Sequence, residues 1–304
     1  MIKMRKFFVF IIFNLFVSLL FSQSSVRLSN DWTNTYIINP GSINDQYLSE
    51  LNMAYRKQWV GFRGAPTTLF ASGTLYLEDM HTQFGLKVMQ DKIGFTSTTN
   101  AALTYGYSMM VNADWKLDMG LGLSYQSLAY DISKVSSPTP SDPIVLTKLL
   151  SQNFINSDLG AEFGNASWRF GVASQNVFSI FSQSKILFPN TNFLYGMYRT
   201  NNPDFFNVGY GICEVQYSNV YQTEFNLTGY FKAAPETTPF QIGLIYRTWS
   251  EVGALFGFNL NHNLRVSYNY DYNFNGLSKT SMGSHEVMIT YRFDKNTGCK
   301  NCWY

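Results

Sequence analysis

Most of this chain alternates apolar with polar or small side chains, and that alternation constrains its fold more than any other feature. In the segment LDMGLGLSYQ, at 117–126, every second residue is leucine, methionine or tyrosine. Successive side chains of a β-strand point to opposite faces, so a period of two predicts strands with one apolar face and one polar or small face. The chain is therefore predicted to be an all-β protein.

The number and the length of these segments distinguish a membrane barrel from a water-soluble sandwich, which would alternate in the same way. About 14 segments follow the pattern, an even number, and most have the ~9 to 11 residues that a tilted strand needs to cross a bilayer. Only a closed sheet satisfies every backbone polar group in lipid. We therefore predict a transmembrane antiparallel β-barrel with strands near residues 48–59, 67–78, 82–90, 97–110, 116–127, 156–164, 168–176, 192–200, 205–217, 221–231, 240–248, 251–260, 263–273 and 284–293.

The composition agrees with a surface that faces lipid. Only 42 of the 304 residues are charged, which is 14%, whereas soluble domains typically have about 25%. The aromatic content of 17% argues against a disordered chain. After residue 22 no apolar run approaches the ~20 residues that a membrane-spanning helix needs. The net charge is +2 and no cluster of lysine and arginine stands out, so nucleic acid is not expected as a partner.

The N-terminus has the form of a secretory signal peptide, with a basic head, an apolar stretch, and small and polar residues before Gln23. An uncleaved anchor helix is the alternative. We predict a signal peptide at 1–22, a periplasmic or plug segment at 23–46, the outer-membrane barrel at 47–293 and a periplasmic tail at 294–304.

The connections between the predicted strands suggest an orientation. If the first strand runs outward, inward turns such as 78–81 are short and the outward connections 127–155 and 177–191 are long, as in outer-membrane barrels. The apolar stretch IVLTKLL in the first long connection is either a protein contact or a self-packing lid. Tryptophans at strand ends, where an interfacial girdle would place them, are Trp59, Trp249, Trp115 and Trp168.

The predicted lumen face is rich in glycine. Glycine in a strand relieves crowding in a tilted barrel, and it also lets another backbone come close. Two hypotheses follow: the glycines only relieve crowding, or the lumen accepts a peptide, either the chain's own segment 24–45 or a partner's tail. The glycines concerned are Gly120, Gly122, Gly160, Gly171, Gly209, Gly211, Gly253 and Gly257.

Residues suited to catalysis or metal binding are few and scattered. His81 and His262 fall in predicted turns and His285 begins the last strand, none beside an evident nucleophile. Cys213 and the tail motif GCKNCWY do not supply the two ligand pairs of a zinc site, so the tail cysteines form a local disulfide or have no role. We expect no enzyme activity, no cofactor and no metal.

Several motifs occur in order along the chain: YIINPGS, AYRKQWVGFRGAPTT, FGLKVMQDKIGF, VSYNYDYNFNGLS and GSHEVMITYRF. As an ordered set they resemble the PorP/SprF family of type IX secretion system outer-membrane proteins. Gly41 stands where the family more often has alanine. The candidate family-motif and partner-contact residues are Asn39, Pro40, Arg56, Trp59, Gly61, Arg63, Gly64, Pro66, Asp91, Lys92, Gly94, Tyr270, Asp271 and Glu286.

The resemblance implies a non-catalytic barrel that supports export and surface attachment of cargo, such as adhesins or gliding proteins, by holding the cargo's C-terminal signal domain. It also implies a periplasmic partner linked to peptidoglycan, with outer-membrane lipid around the barrel. The alternative function is a passive outer-membrane channel for small or apolar solutes.

The residues of the first strand and its loop predict a rigid outward turn. Gly61 and Gly64 permit backbone angles closed to other residues, Pro66 fixes the chain, and Trp59 anchors at the interface. This turn either shapes the barrel or forms part of a rim, with Arg63, on which cargo docks.

Overall fold

The computed structural model describes residues 27–130, 152–181, 188–201, 206–218, 220–232, 239–274 and 281–295. The predicted signal peptide, the IVLTKLL stretch and the two tail cysteines lie outside these residues. The described part of the chain forms fourteen strands: β1 (Ser49–Lys57), β2 (Thr67–Leu77), β3 (Thr82–Ile93), β4 (Thr96–Met110), β5 (Lys116–Tyr130), β6 (Gln152–Gly164), β7 (Trp168–Gln175), β8 (Thr191–Arg199), β9 (Phe206–Tyr217), β10 (Val220–Phe231), β11 (Phe240–Arg247), β12 (Glu251–Asn259), β13 (Leu264–Asn273) and β14 (Ser284–Phe293).

The strands form a closed antiparallel barrel, which confirms the predicted fold. Each strand pairs with its neighbours in sequence, and β1 pairs with β14 from Ser49 opposite Phe293 to Lys57 opposite His285. No sheet edge is left open, so the backbone groups of all the strands are paired between strands, as a hydrocarbon environment requires.

Burial alternates along the strands as the sequence pattern predicted. Outward-facing residues such as Leu103 and Ile155 are both 66% exposed, whereas the polar positions between outward residues are buried in the lumen. Aromatic side chains gather near the strand ends, where Trp115 stacks on Phe163 with ring centroids 4.6 Å apart. The apolar outer surface is therefore the one that meets lipid.

The β5–β6 hairpin is longer than predicted. The sequence prediction placed a connection at 127–155, but β5 continues to Tyr130 and β6 begins at Gln152. Leu128 pairs with Gln152, and Ser127 pairs with Asn153. The sequence alternation did not predict this extension because Gln152 and Asn153 are both polar. The strands are extended here by backbone pairing across the hairpin, without an apolar face.

The two ends of the barrel differ in their connections. At the short-turn end, where β1 begins and β14 ends, connections such as 78–81, 111–115 and 260–263 are brief. At the opposite end, which we call the loop end, the connections 58–66 and 176–190 are longer, although 94–95 is a tight hairpin.

Residues 27–47, which we call the plug segment, run through the inside of the barrel before the chain enters β1. The segment contains two 3-10 helices, Ser29–Trp32 and Thr35–Ile37, and almost every residue from Leu28 to Ile43 is buried. It begins in the loop-end half of the lumen and descends to the short-turn end. Among the described residues, no helix is both long and apolar enough to span a membrane.

Candidate functional site

A buried ionic cluster lies in the loop-end half of the lumen. Arg56 on β1 pairs with two carboxylates: its Nη1 lies 2.6 Å from Asp271 Oδ2 and 3.0 Å from Glu286 Oε2. The pairing register places Arg56 directly opposite Glu286 across the seam that closes the barrel. Arg56 is 2% exposed and both acids are fully buried. A buried charge is costly unless it is paired, so these three residues depend on one another.

The cluster continues across the neighbouring strands through a second arginine. Arg247 Nε lies 2.8 Å from Glu224 Oε1, and the Arg247 guanidinium also bonds Glu251. Asn273 Nδ2 donates to Glu251 at 3.0 Å, so this acid is held from two sides. The charged side chains thus form one network along β10 to β14 and β1.

The network fastens the first turn of the plug segment. Glu286 accepts the backbone N–H groups of Ser29 at 2.8 Å and Asn30 at 3.0 Å, and the Asn30 side-chain amide at 2.7 Å. Ser29 Oγ donates to Asp271 at 2.7 Å and accepts from Arg56 at 2.9 Å. Hydrogen bonds to an ionised group are stronger than neutral ones. The same two acids therefore neutralise the barrel arginine and hold the plug backbone.

Arg27 supplies a third cation from the plug segment itself. Its Nη1 lies 2.5 Å from Glu224 Oε1, and its guanidinium also bonds Asp31. Burial alone would lower the pKa of Arg27, but the attraction of Asp31 and Glu224 holds that pKa above its ordinary value. The side chain therefore stays charged, and the plug contributes charges to the cluster as well as backbone donors.

The middle of the plug segment packs against bare backbone of β4 to β6. A Cβ atom on Gly41 would lie 2.6 Å from the carbonyl oxygen of Gly160, and a Cβ on Gly120 would collide with the Pro40 carbonyl. Gly120 and Gly160 are paired across β5 and β6. Asn39 Nδ2 donates to Ala161 O at 3.1 Å and to Tyr195 Oη at 2.9 Å. Glycine is needed on both sides of this contact.

The glycine-rich lumen face serves both purposes considered in the sequence analysis. Gly120, Gly160 and Gly211 face the plug segment, since a Cβ on Gly211 would lie 2.5 Å from the Trp32 ring. Others make room for side chains of the barrel itself: Gly171 faces Tyr195, Gly209 faces Tyr230, Gly253 faces Asp271, and Gly257 faces Arg265 and Gln241. The peptide in the described lumen is the chain's own.

The exit of the plug segment at the short-turn end is also ionic. Lys116 Nζ lies 3.1 Å from Asp45 Oδ2, and Asn44 Nδ2 donates to Glu50 at 3.0 Å. Glu50 in turn pairs with Arg292 Nε at 3.1 Å. The segment is therefore attached at its start, its middle and its end.

The predicted outward turn forms a tied loop at the loop end. Gly61 and Gly64 have φ of 95° and 79°, values that favour glycine, and Trp59 has a φ of 51°. The Gly94 amide donates to Gly64 O at 3.1 Å, and the Val60 amide donates to Gly283 O at 2.8 Å. The loop is thus tied to β3–β4 on one side and to β13–β14 on the other, with Arg63 exposed.

The other candidate residues are dispersed. Asp91 is buried on the lumen face and accepts from Thr68 Oγ1 at 2.6 Å, whereas Lys92 is exposed. Tyr270 points outward and donates to Met282 O at 3.1 Å. Of the fourteen candidates, the structure gathers Arg56, Asp271 and Glu286 into the ionic cluster.

Several residues of this site were not identified from the sequence, namely Arg27, Ser29, Asn30, Glu224, Arg247 and Glu251. Each is a single polar residue in a polar lumen face or in the plug segment, so no local pattern marks it. Outside the lumen, His285 Nδ1 lies 2.6 Å from Tyr268 Oη. The described residues contain no group of three or more His, Cys, Asp or Glu suited to a metal ion.

Solved structures with a similar fold include outer-membrane channels and transporters. The CymD monoaromatic hydrocarbon channel is 12% identical over 91% of this chain and 96% of its own, with a TM-score of 0.51. Another match is the Ralstonia pickettii toluene transporter TbuX, which is 10% identical over 85% of this chain and 93% of its own, with a TM-score of 0.48. The P. putida toluene transporter TodX is 9% identical over 86% of this chain and 95% of its own, with a TM-score of 0.49. At such identities the likeness to CymD shows a shared fold alone.

No curated protein matches the chain in sequence. Residues 20–291 match the family described as type IX secretion system membrane protein PorP/SprF. The match spans the plug segment and nearly all of the barrel, including the whole ionic cluster. The chain therefore belongs to the PorP/SprF family of type IX secretion system membrane proteins, and it resides in the outer membrane.

Proposed function

We propose that this barrel is a non-catalytic component of the type IX secretion system that supports the export of cargo and its attachment at the cell surface. The cargo would be an adhesin or a gliding protein, held through its C-terminal signal domain. The observation that carries the proposal is the plug segment, which occupies the lumen and is fastened by buried ion pairs. A barrel filled in this way is suited to act as a rigid docking scaffold.

The tied loop 58–66 is the part of the scaffold we assign to cargo contact. It carries the exposed residues Phe62, which is 47% exposed, and Arg63. A loop whose backbone is already ordered loses little entropy when it binds, which favours recognition. A periplasmic partner linked to peptidoglycan would meet the opposite, short-turn end.

The alternative function is a passive channel, the activity named for CymD. A channel needs a continuous water-filled or apolar path, and the plug segment crosses the lumen from one half to the other. The fold shared with CymD is compatible with either function, so the filled lumen favours the scaffold.

Surface display of the native cargo tests the proposal. Arg63→Glu in the full chain should reduce the cargo on the cell surface severalfold while the amount of folded barrel in the outer membrane is unchanged. A matched control is Trp249→Ala, which alters an exposed residue at the same end outside the motif. If deletion of the whole protein leaves cargo display and secretion intact, the proposed function is wrong. If only Arg63→Glu has no effect, the cargo surface lies elsewhere.

A further inference from the structure

A second region of the lumen lies on the wall formed by β8 to β13 at the short-turn end. Residues 39–41 of the plug segment lie against β4 to β6, away from this wall. Its lumen-facing side chains include cations and hydrogen-bond donors. At the short-turn end of β8 to β13, no lumen-facing side chain of these strands is a carboxylate. We call it the donor cluster, and define it by Arg199, Tyr230, Gln241, Gly257 and Arg265.

Arg265 differs from five other arginines of the lumen. Arg27, Arg56, Arg169, Arg247 and Arg292 each have a carboxylate oxygen within 4.0 Å. Arg265 is in no such ion pair with any residue that the structure describes, and its one hydrogen bond there is from Nη1 to the neutral Asn259 Oδ1 at 3.1 Å. Arg265 is half-buried.

Gln241 provides an unsatisfied donor beside it. Gln241 is 3% exposed, and its Nε2 has no hydrogen-bond partner among the described residues. A Cβ on Gly257 would lie 2.9 Å from Gln241 Cγ and 3.1 Å from Arg265 Cζ, so both side chains flank the same bare stretch of β12. A buried donor without an acceptor costs free energy, which an incoming acceptor would recover.

Positive potential is reinforced by a neighbouring arginine. The Arg199 guanidinium lies over the Tyr230 ring, 5.2 Å from its centroid, and Tyr230 pairs with Gln241 across β10 and β11. Two arginines therefore lie near the Gln241 amide, and the described strands of this wall carry no acidic lumen-facing side chain at this end. This arrangement is complementary to an anion with two acceptor oxygens.

We propose that the donor cluster binds a carboxylate carried by an acidic protein segment that enters the lumen from the short-turn end. A guanidinium makes two parallel hydrogen bonds to a carboxylate, and the Gln241 amide would supply a third. The loop-end half of the same lumen already holds a peptide by arginine–carboxylate pairs, with acids on the barrel and Arg27 on the peptide. The donor cluster has the reverse polarity, with the cations on the barrel.

The direction of entry follows from the position of the cluster. Arg265 is the second residue of β13, and Asn259 is the last residue of β12, so both adjoin the brief connection 260–263. The loop-end half of the lumen above them is filled by the first turn of the plug segment and its ionic cluster. An acidic segment therefore reaches Arg265 from the short-turn end.

A peptide-binding measurement on the full chain in detergent tests this proposal. The probe is a fluorescein-labelled acidic hexapeptide of Gly, Ser, Asp and Glu with a free C-terminus. Its control replaces Asp and Glu by Asn and Gln and has an amidated end. Fluorescence polarisation should show binding of the acidic peptide alone, weakened about tenfold or more by Arg265→Gln because a charged hydrogen-bond pair is lost. Lys57→Gln, which removes an exposed cation at the loop end of β1, should leave the affinity unchanged.

Gln241→Glu keeps the proposal testable if Arg265→Gln does not fold. This variant places a carboxylate of the chain's own beside Arg265, so it should abolish peptide binding while raising the unfolding midpoint. Equal binding of the acidic and amidated peptides would overturn the proposal. Tight binding that neither Arg265→Gln nor Gln241→Glu weakens would overturn it as well. So would a result in which inorganic phosphate displaces the labelled peptide as effectively as peptide carboxylates do.

Discussion

The two halves of the lumen differ in the partners of their arginine side chains. In the loop-end half, Arg56 and Arg247 lie among four barrel carboxylates, and the plug segment completes the network with Arg27 and the backbone amides of Ser29 and Asn30. In the donor cluster, Arg265 has no described carboxylate oxygen within 4.0 Å, and Gln241 Nε2 has no acceptor among the described residues. The first half is a peptide contact built on ion pairs, and we propose the second as a site for an acidic ligand.

The largest difference between the halves should appear when an arginine is removed. Arg56→Gln leaves Glu286 buried without its described cation and Asp271 with only Arg247, at 3.7 Å, and breaking a buried pair in this way typically costs about 3–5 kcal/mol. The measurement is the urea unfolding midpoint of the protein folded in lipid vesicles, followed by tryptophan fluorescence. A matched control is Glu78→Gln. The Glu78 side chain is 56% exposed in its pair with Lys295, so loss of this pair should cost about 1 kcal/mol or less. Equal effects of the two variants would mean that the buried cluster does not hold the plug.

An intermediate effect is expected where the plug meets β6. Gly41→Ala adds a methyl group whose carbon would lie 2.6 Å from Gly160 O, and overpacking of this kind costs about 1–3 kcal/mol. Gly122→Ala is the control because its Cβ would make only ordinary contacts, the nearest at 3.4 Å. If Gly41→Ala is as stable as Gly122→Ala in the same unfolding assay, the plug does not pack against Gly160 as described.

The smallest effect should come from the unpaired arginine. Arg265→Gln removes a half-buried charge that has no counter-ion among the described residues, so no acid is left behind and the free energy of unfolding should change by about 1 kcal/mol or less, in either direction. A loss comparable to that of Arg56→Gln would show that Arg265 is already paired within the folded chain. That result would remove the contrast between the two halves.

The strands could be predicted from the sequence because their signal is local. An alternation such as that in 117–126 is read within one segment, and the boundaries of nearly all strands follow from it. It failed only where polar residues such as Gln152 and Asn153 extend a hairpin. The glycines at 120 and 160 indicated that a backbone could approach, without showing which one.

The ionic cluster could not be predicted in the same way, because it joins residues that are distant in sequence. Arg27 and Glu224 are 197 positions apart, and Arg56 and Glu286 are 230 apart. Their contact depends on closure of the barrel and on strand register. The plug segment shows no regular alternation, since its two short 3-10 helices mix buried polar residues such as Ser29 and Asn30 with buried apolar ones such as Trp32 and Ile37.

The central claim is that the plug segment closes the barrel, and planar-bilayer conductance of the purified full chain tests it most directly. The filled lumen predicts no large steady current from the unaltered protein, whereas Arg56→Gln combined with Arg247→Gln should release the plug and produce open-channel events. A large steady current from the unaltered protein, unchanged in the double variant, would contradict the account.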